Sequence, residues 1–303
     1  MRTYLREMYP IPSRLLASGL VYTSFVGLLG RIHGVRVPWL SGYTAVGTWS
    51  IFSVSLILRL MDELKDRQID RQLFPKRPLP SGKVRESDIA LTLTLLTVLF
   101  VVVNVPTGKT FWVSLLVLTY TFLMFRHFFM PGILRANLFL TLATHNPIIP
   151  ITLGYVVSLF CTAYQLELRN LHWFATTLVI SMYWLAFLAW EVARKIRAAE
   201  EENAYITYSQ LLGRRGAVLL AGTAQTVAFG IGLYFYVLPV FSAVPVAILA
   251  AGYGLAIGGH ARFLLSPSAT TSKLKPFAEW YIRSHLVAAV VDHGLRHGWE
   301  LGW

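Results

Sequence analysis

The sequence has little acid and little charge of any kind. Among its 303 residues, 15 are Asp or Glu and 27 are Lys or Arg, so charged side chains make up only 14% of the chain. A typical soluble domain carries about 25%, and the composition excludes that class. There is one cysteine, Cys161, which rules out an internal disulfide and any zinc or iron–sulfur site built on thiolates. Low-complexity tracts are missing, as is any linker that would divide the chain, so residues 1–303 read as one domain. What the chain does have is 55% hydrophobic residues and a mean hydropathy of +0.55.

The hydrophobic residues are grouped in long runs. A bilayer span needs about 20 predominantly apolar residues, and such runs occur at 13–32, 41–61, 88–105, 110–128, 136–160, 173–193, 216–237, 241–263 and 277–295. They predict an all-α polytopic membrane protein, about nine transmembrane helices in one bundle. Arg283, His285, Asp292 and His293 interrupt the last run, which places it at the interface or lining the bundle interior. The run after Arg2, Arg6 and Arg14 lacks a small-residue cleavage site and is expected to be a first span, not a removable signal.

A net charge of +12 would suit a nucleic-acid partner if the basic residues formed a stripe, but they punctuate the apolar runs instead. No nucleic-acid partner and no obligate protein partner are expected. The basic residues alternate as the positive-inside rule requires of a cytoplasmic N-terminus. On the expected inside lie Arg2, Arg6 and Arg14, Arg59 through Arg85, Arg126 and Arg135, Arg194 through Arg215, then Arg262, Lys273 and Lys275. Outside remain Arg31, Arg36, Lys109, Arg169 and Arg296. Two inside loops, 62–87 and 194–215, are long and polar and gather the carboxylates on one face of the membrane.

The first loop reads RLMDELKDRQIDRQLFPKRPLPSGKV from Arg59. Asp62, Asp66 and Asp70 are four apart, so on a continuing helix they drift by about 40° per step and share a face. Like charges so arranged repel unless a cation neutralises them, and Mg²⁺ takes carboxylate and phosphate oxygens while keeping several waters. Glu63 lies beside this face in an outer position. The bland alternative is a solvated helix end with Lys65 and Arg67 interleaved. The Pro- and Gly-punctuated turn that follows brings Lys76, Arg77 and Lys83 near the acids, within reach of an anionic ligand.

In these residues the chain resembles the UbiA superfamily of intramembrane prenyltransferases. That family's first signature runs Asn-Asp-x-x-Asp-x-x-x-Asp, followed after a short segment by Arg-Pro-Leu-Pro-Ser-Gly. Asp62 stands on the Asn, Glu63 on the first Asp, and Asp66 and Asp70 on the other two, while Arg77 to Gly82 reproduce the turn intact. The resemblance implies a nine-helix topology and Mg²⁺ held by Asp62, Glu63, Asp66 and Asp70. It also implies an isoprenoid diphosphate met by Arg67, Lys76 and Arg77. The family's second signature, Asp-x-x-x-Asp and then Thr and Leu-Gly, is altered. Thr207, Leu212 and Gly213 keep the frame, but Arg194, Lys195, Arg197 and Ala198 stand where acids are expected. Helical spacing would put Glu191, Lys195, Ala198 and Glu202 near one face. Glu191 and one of Glu200, Glu201 and Glu202 are then expected on a second metal, with Arg194 or Lys195 on phosphate oxygens. An ordinary polar loop with local ion pairs is the alternative. The family's Tyr and Lys at the end of the fourth span are matched by Tyr120 and Arg126, and Arg keeps phosphate binding with planar geometry. Positive-inside anchoring explains Arg126 equally well.

His145, Asn146 and Pro147 lie within an apolar run, where they line the acceptor side of a pocket or make an interhelical hydrogen bond at a Pro kink. By resemblance, the chain is an integral, multi-pass, Mg²⁺-dependent prenyltransferase. Its active site, with Asp66, Asp70 and Glu191 as catalytic carboxylates, faces the cytoplasm, and its prenyl group goes to an aromatic or lipid acceptor. A terpene cyclase of the same family would ionise the diphosphate without an acceptor, and the altered second signature raises that alternative. A non-catalytic isoprenoid-binding protein is a third. A transporter is disfavoured because the acids lie at span ends on one face.

Overall fold

The computed structural model describes residues 1–203 and 205–299. Its helices, in chain order, are α1 (Arg2–Met8), α2 (Ile11–His33), α3 (Gly42–Lys65), α4 (Arg67–Leu73), α5 (Glu86–Asn104), α6 (Thr110–Phe125) and α7 (Pro131–Ala136). There follow α8 (Leu138–His145), α9 (Ile148–Ala163), α10 (Trp173–Ala193), α11 (Tyr208–Val237), α12 (Ala243–Leu265) and α13 (Lys275–His297). No strand occurs among the described residues. Among the described residues, seven helical segments are long and apolar enough to cross a membrane: α2, α3, α5 with its extension to Thr107, α8 with α9, α10, α11 and α12. α6 is apolar but has only 16 residues. α13 carries ionisable residues along its length, and it buries His285, Asp292 and His293.

Side-chain caps start the helices where the sequence supplies them. Ser41 accepts from Thr44 N–H at the head of α3, and Thr207 exchanges bonds with Gln210 at the head of α11. At the tail of α2, Gly34 takes φ +67, a conformation open to glycine without a Cβ penalty. α2 packs on α3 and α13, α3 on α5 and α6, α6 on α9, and α9 on α10. From α10 the packing runs through α11 and α12 to α13, which returns to α2.

The outer surface is apolar. Leu91, Leu95, Val98 and Val102 recur at helical spacing on α5, and each is more than half exposed, a stripe that suits hydrocarbon rather than water. The interior carries paired polar groups. Tyr155 donates to Asn104 Oδ1 at 2.7 Å, and Asn104 Nδ2 donates to Ser50 Oγ at 3.1 Å, joining α9, α5 and α3. An unpaired polar group in a bilayer would cost several kcal/mol, so these side chains are buried as a bonded set. Gly47 lets α2 approach α3 closely: a Cβ there would overlap the Tyr22 ring.

Candidate active site

The acid ladder lies where α3 gives way to α4. The helix does not run straight through it: Asp66, at φ −97 and ψ 8, joins α3 to α4. The i to i+4 backbone bonds nevertheless continue, from Asp66 N to Asp62 O, Asp70 N to Asp66 O and Phe74 N to Asp70 O, all at 2.8–2.9 Å. Asp62 pairs with Lys65 at 2.9 Å and Asp70, nearly buried, with Arg77 at 2.8 Å. Asp66 is half-buried and has no ion pair or side-chain hydrogen bond among the described residues. Burial pushes its carboxyl above the ordinary range. Asp62 and Asp70 push the same way, against the pull of Lys65 and Arg135. Glu63 is buried beside Arg59, with which it pairs, and its other oxygen is unpartnered, as is the buried Tyr4 hydroxyl.

The segment from Arg77 to Gly82 forms a turn closed by backbone hydrogen bonds. Ser81 N bonds to Arg77 O and Val84 N to Pro78 O, and Gly82 takes φ +76. Arg77 is also stacked over Phe74 at 3.9 Å, which fixes its guanidinium beside Asp70. The other basic residues expected here lie elsewhere. Arg67 turns to Glu86 at 3.1 Å, Lys83 reaches Glu7 at 3.8 Å, and Lys76 is exposed.

Next to the ladder opens a cleft of about 430 Å³ lined by Lys65, Phe125, Arg126, His127, Phe129, Pro131 and Arg135. Arg126 thus lines this cleft, together with Lys65, His127 and Arg135, which are outside the expected set. The available signal was the flanking of a His-Phe-Phe-Met-Pro-Gly loop by two arginines, which topology alone had accounted for. Burial, then Lys65 and Arg135, lower the pKa of His127 and favour neutral imidazole. The cleft therefore presents fixed cations and aromatic edges beside an unpaired carboxylate.

Tyr120 does not point a free hydroxyl at this cleft; it donates to Thr144 O at 2.7 Å. The run expected as one span at 136–160 is two helices, α8 and α9, broken at Asn146–Pro147. Proline lacks the N–H that would continue the ladder. Tyr120 fills one carbonyl near the break, and Trp184 of α10 donates to Asn146 Oδ1. His145 ends α8, its ring 6.4 Å from that of His127 and 5.8 Å from that of Phe128.

The second acidic segment departs from its expected helix. α10 stops at Ala193, so Glu191 and Glu202 do not share a helical face. The chain is pulled out of register by α11. Tyr208 N bonds to Lys195 O, Arg197 N bonds to Ser209 Oγ, and Ile196, Ala198 and Tyr208 pack in one buried cluster. Glu191 pairs with Arg194 at 2.6 Å and Lys195 at 3.2 Å, and Arg194 lies within electrostatic reach of Asp62. Glu202 accepts from the Thr207 and Ser209 hydroxyls at the start of α11. Glu201 meets Ser272 and Glu200 meets Ala269 N, so both brace the α12–α13 loop.

The ladder fits a hard divalent cation. No three acids or histidines converge as a ready ligand set among the described residues, but Mg²⁺ commonly needs only one or two carboxylates, completed by phosphate oxygens and water. Asp66 has a carboxylate with no counter-charge bound to it, and Asp62 and Asp70 are each held by a single ion pair, to Lys65 and Arg77. Asp66, with one of Asp62 and Asp70, would supply the one or two carboxylates such an ion needs.

No protein-family model matches this sequence, and a comparison with curated proteins finds no match either. Solved structures do match. An apo structure of a UbiA homolog from Aeropyrum pernix K1 aligns with a TM-score of 0.65 at 14% identity, over 90% of this chain and 96% of that one. A structure from work on digeranylgeranylglyceryl phosphate synthase in membranes aligns with a TM-score of 0.62 at 18% identity, over 96% of this chain and 98% of that one. Identity this low speaks for fold rather than activity, and the fold of this membrane-helical chain is that of the UbiA proteins.

Proposed function

We propose that the chain is a Mg²⁺-dependent intramembrane prenyltransferase, one domain of about nine spans with a cytoplasmic N-terminus and site. It ionises an allylic isoprenoid diphosphate and passes the prenyl group to an acceptor. The observation that carries this reading is the juxtaposition of unpaired Asp66 with the cationic cleft of Lys65, Arg126 and Arg135 at the mouth of an apolar bundle. The structural neighbour named as a synthase of digeranylgeranylglyceryl phosphate supports an isoprenoid substrate.

In this reading Lys65, Arg126 and Arg135 receive the diphosphate, and Arg77 and Arg194 stand behind the acids that face it. As the allylic C–O bond breaks, its electron pair leaves with the diphosphate, and these fixed cations stabilise the growing charge. Mg²⁺, when bound, adds positive charge at the same oxygens. The apolar interior of the bundle would keep water from the allyl cation until the acceptor's electron pair captures it.

The test is incubation of the purified protein with geranyl, farnesyl and geranylgeranyl diphosphates and Mg²⁺, with and without an acceptor pool of aromatic compounds and membrane lipids. Acceptor-dependent diphosphate release is expected. Hydrocarbon formed without acceptor replaces this reading with a cyclase, and binding without release under every condition overturns both.

A further inference from the structure

A proton must leave whenever a prenyl cation is captured. The acceptor, or the cyclised chain, regains neutrality by losing hydrogen; Lys65, Arg126 and Arg135 are already protonated, and His127 stands among them on the cleft wall. His145 is differently placed. Thr144 Oγ1 lies 2.8 Å from Leu140 O and 3.1 Å from His145 Nδ1. A carbonyl can only accept, so the single hydroxyl proton is used on Leu140 O, and Oγ1 is left to accept from Nδ1–H. The neutral imidazole then carries its free lone pair on Nε2, which has no hydrogen-bond partner among the described residues.

The backbone holds this arrangement in place. The carbonyl of Thr144 receives the Tyr120 hydroxyl, the side chain of Asn146 receives Trp184, and Pro147 ends the helix. The His145 ring lies against those of Phe128 and His127 and within electrostatic reach of Lys65 and Asp62. His145 is the last residue of α8, about 10 Å along the helix from Leu138. His145 thus adjoins the His127–Phe129 turn that lines the cleft, so a prenyl chain whose diphosphate sat on the cations would extend past it.

We propose that His145 Nε2 is the proton acceptor of the reaction, an inference that rests on the ionisation reading above. As the new bond to the prenyl carbon forms, the C–H or O–H pair of the acceptor returns to it and the proton moves to Nε2. The imidazolium then passes that proton to the released diphosphate, which restores the starting tautomer.

The experiment uses the full chain with Mg²⁺ and geranyl, farnesyl or geranylgeranyl diphosphate. It scores diphosphate release separately from the ratio of coupled or cyclised product to prenyl alcohol, the water-quenched product. His145→Gln is expected to bind the unreactive thiolodiphosphate analogue as the parent does and to release diphosphate within about threefold of it. A general base contributes about 10²-fold or more, so the product-to-alcohol ratio should fall by at least about tenfold. Thr144→Val keeps the imidazole but removes the acceptor that fixes Nδ1–H, and it should lower the ratio by a smaller factor at unchanged release. Parallel loss of release and product in His145→Gln with binding intact overturns the proposal, as does an unchanged ratio. If His145→Gln does not fold, an unchanged ratio in Thr144→Val does the same. Absence of release by the parent chain overturns the ionisation reading and this one with it.

Discussion

Replacing Asp66 by Asn should raise stability and abolish function, and the two effects have one cause. The Asp66 carboxylate is half-buried between Asp62 and Asp70, without an ion pair of its own. Burial comes first, and the two acids outside it reinforce the upward shift that Lys65 and Arg135 partly offset. A carboxyl whose folded pKa is raised stabilises the fold fully below its unfolded value, near 3.8, and that contribution is lost as pH rises through the folded value. At neutral pH without metal, ionised Asp66 therefore opposes folding. The amide of the Asp66→Asn variant carries no such charge, so the metal-free variant should melt at or above the parent temperature at pH 7. The advantage should vanish as the buffer is acidified toward 4.

With Mg²⁺ and a non-reactive diphosphate analogue present the order should reverse. A ligand at about 100 times its dissociation constant adds about 2.7 kcal/mol to the native state. For a chain of this length that is a rise of about 5 °C, which the variant should lose along with at least about 10²-fold in turnover. Thermal melting in detergent across pH, with and without Mg²⁺ and analogue, reads both signs in one protein pair. A variant that keeps its turnover, or that melts lower without metal while keeping the full ligand-induced rise, would refute the argument.

Two further substitutions separate packing from chemistry. Glu202→Gln should cost about 1 kcal/mol through the Thr207 and Ser209 hydroxyls it holds at the head of α11, with turnover per folded molecule retained. Loss of Mg²⁺ response in that variant would restore the metal role first expected for Glu202. Gly47→Ala would drive a methyl group into the buried ring of Tyr22 and should cost about 1–3 kcal/mol. An unchanged melting temperature would show that α2 and α3 do not depend on this contact.

The sequence made the helices legible because hydropathy is a property of each segment alone. The first acid motif was legible for a similar reason: Asp62, Asp66 and Asp70 are linked by successive backbone bonds within one stretch of chain, so spacing maps directly onto position. The helical face expected of the second motif fails where that locality does. Ala198 to Glu202 is a run of good helix formers, and propensity alone would have extended α10 through it. Burial of Ile196 and Ala198 against Tyr208 prevailed, turning Glu202 toward Thr207 and Glu200 toward the α12–α13 loop. The pairing of Arg67 was not legible for a related reason, because its partner Glu86 lies beyond the proline-rich turn and the pairing requires the turn's geometry.

The cleft shows the limit most clearly. His127, Phe128 and Phe129 have φ values of +48, +49 and +60, three successive left-handed residues with no glycine among them. Each such conformation costs an L-residue about 1–3 kcal/mol, so no local preference would place them there. The surrounding contacts hold them. The Phe128 ring packs edge-on against Tyr120 at 5.5 Å and against His145 at 5.8 Å, while Arg126 and His127 line the cleft beside it. Strain of this kind persists where the surroundings over-determine it, and here the surroundings are the broken helix α8–α9 and the end of α6. The wall proposed to receive the diphosphate and the histidine proposed to take the proton are thus positioned by the same turn. Relaxing it would move the cations and the base together, which ties release of the leaving group to the fate of the cation.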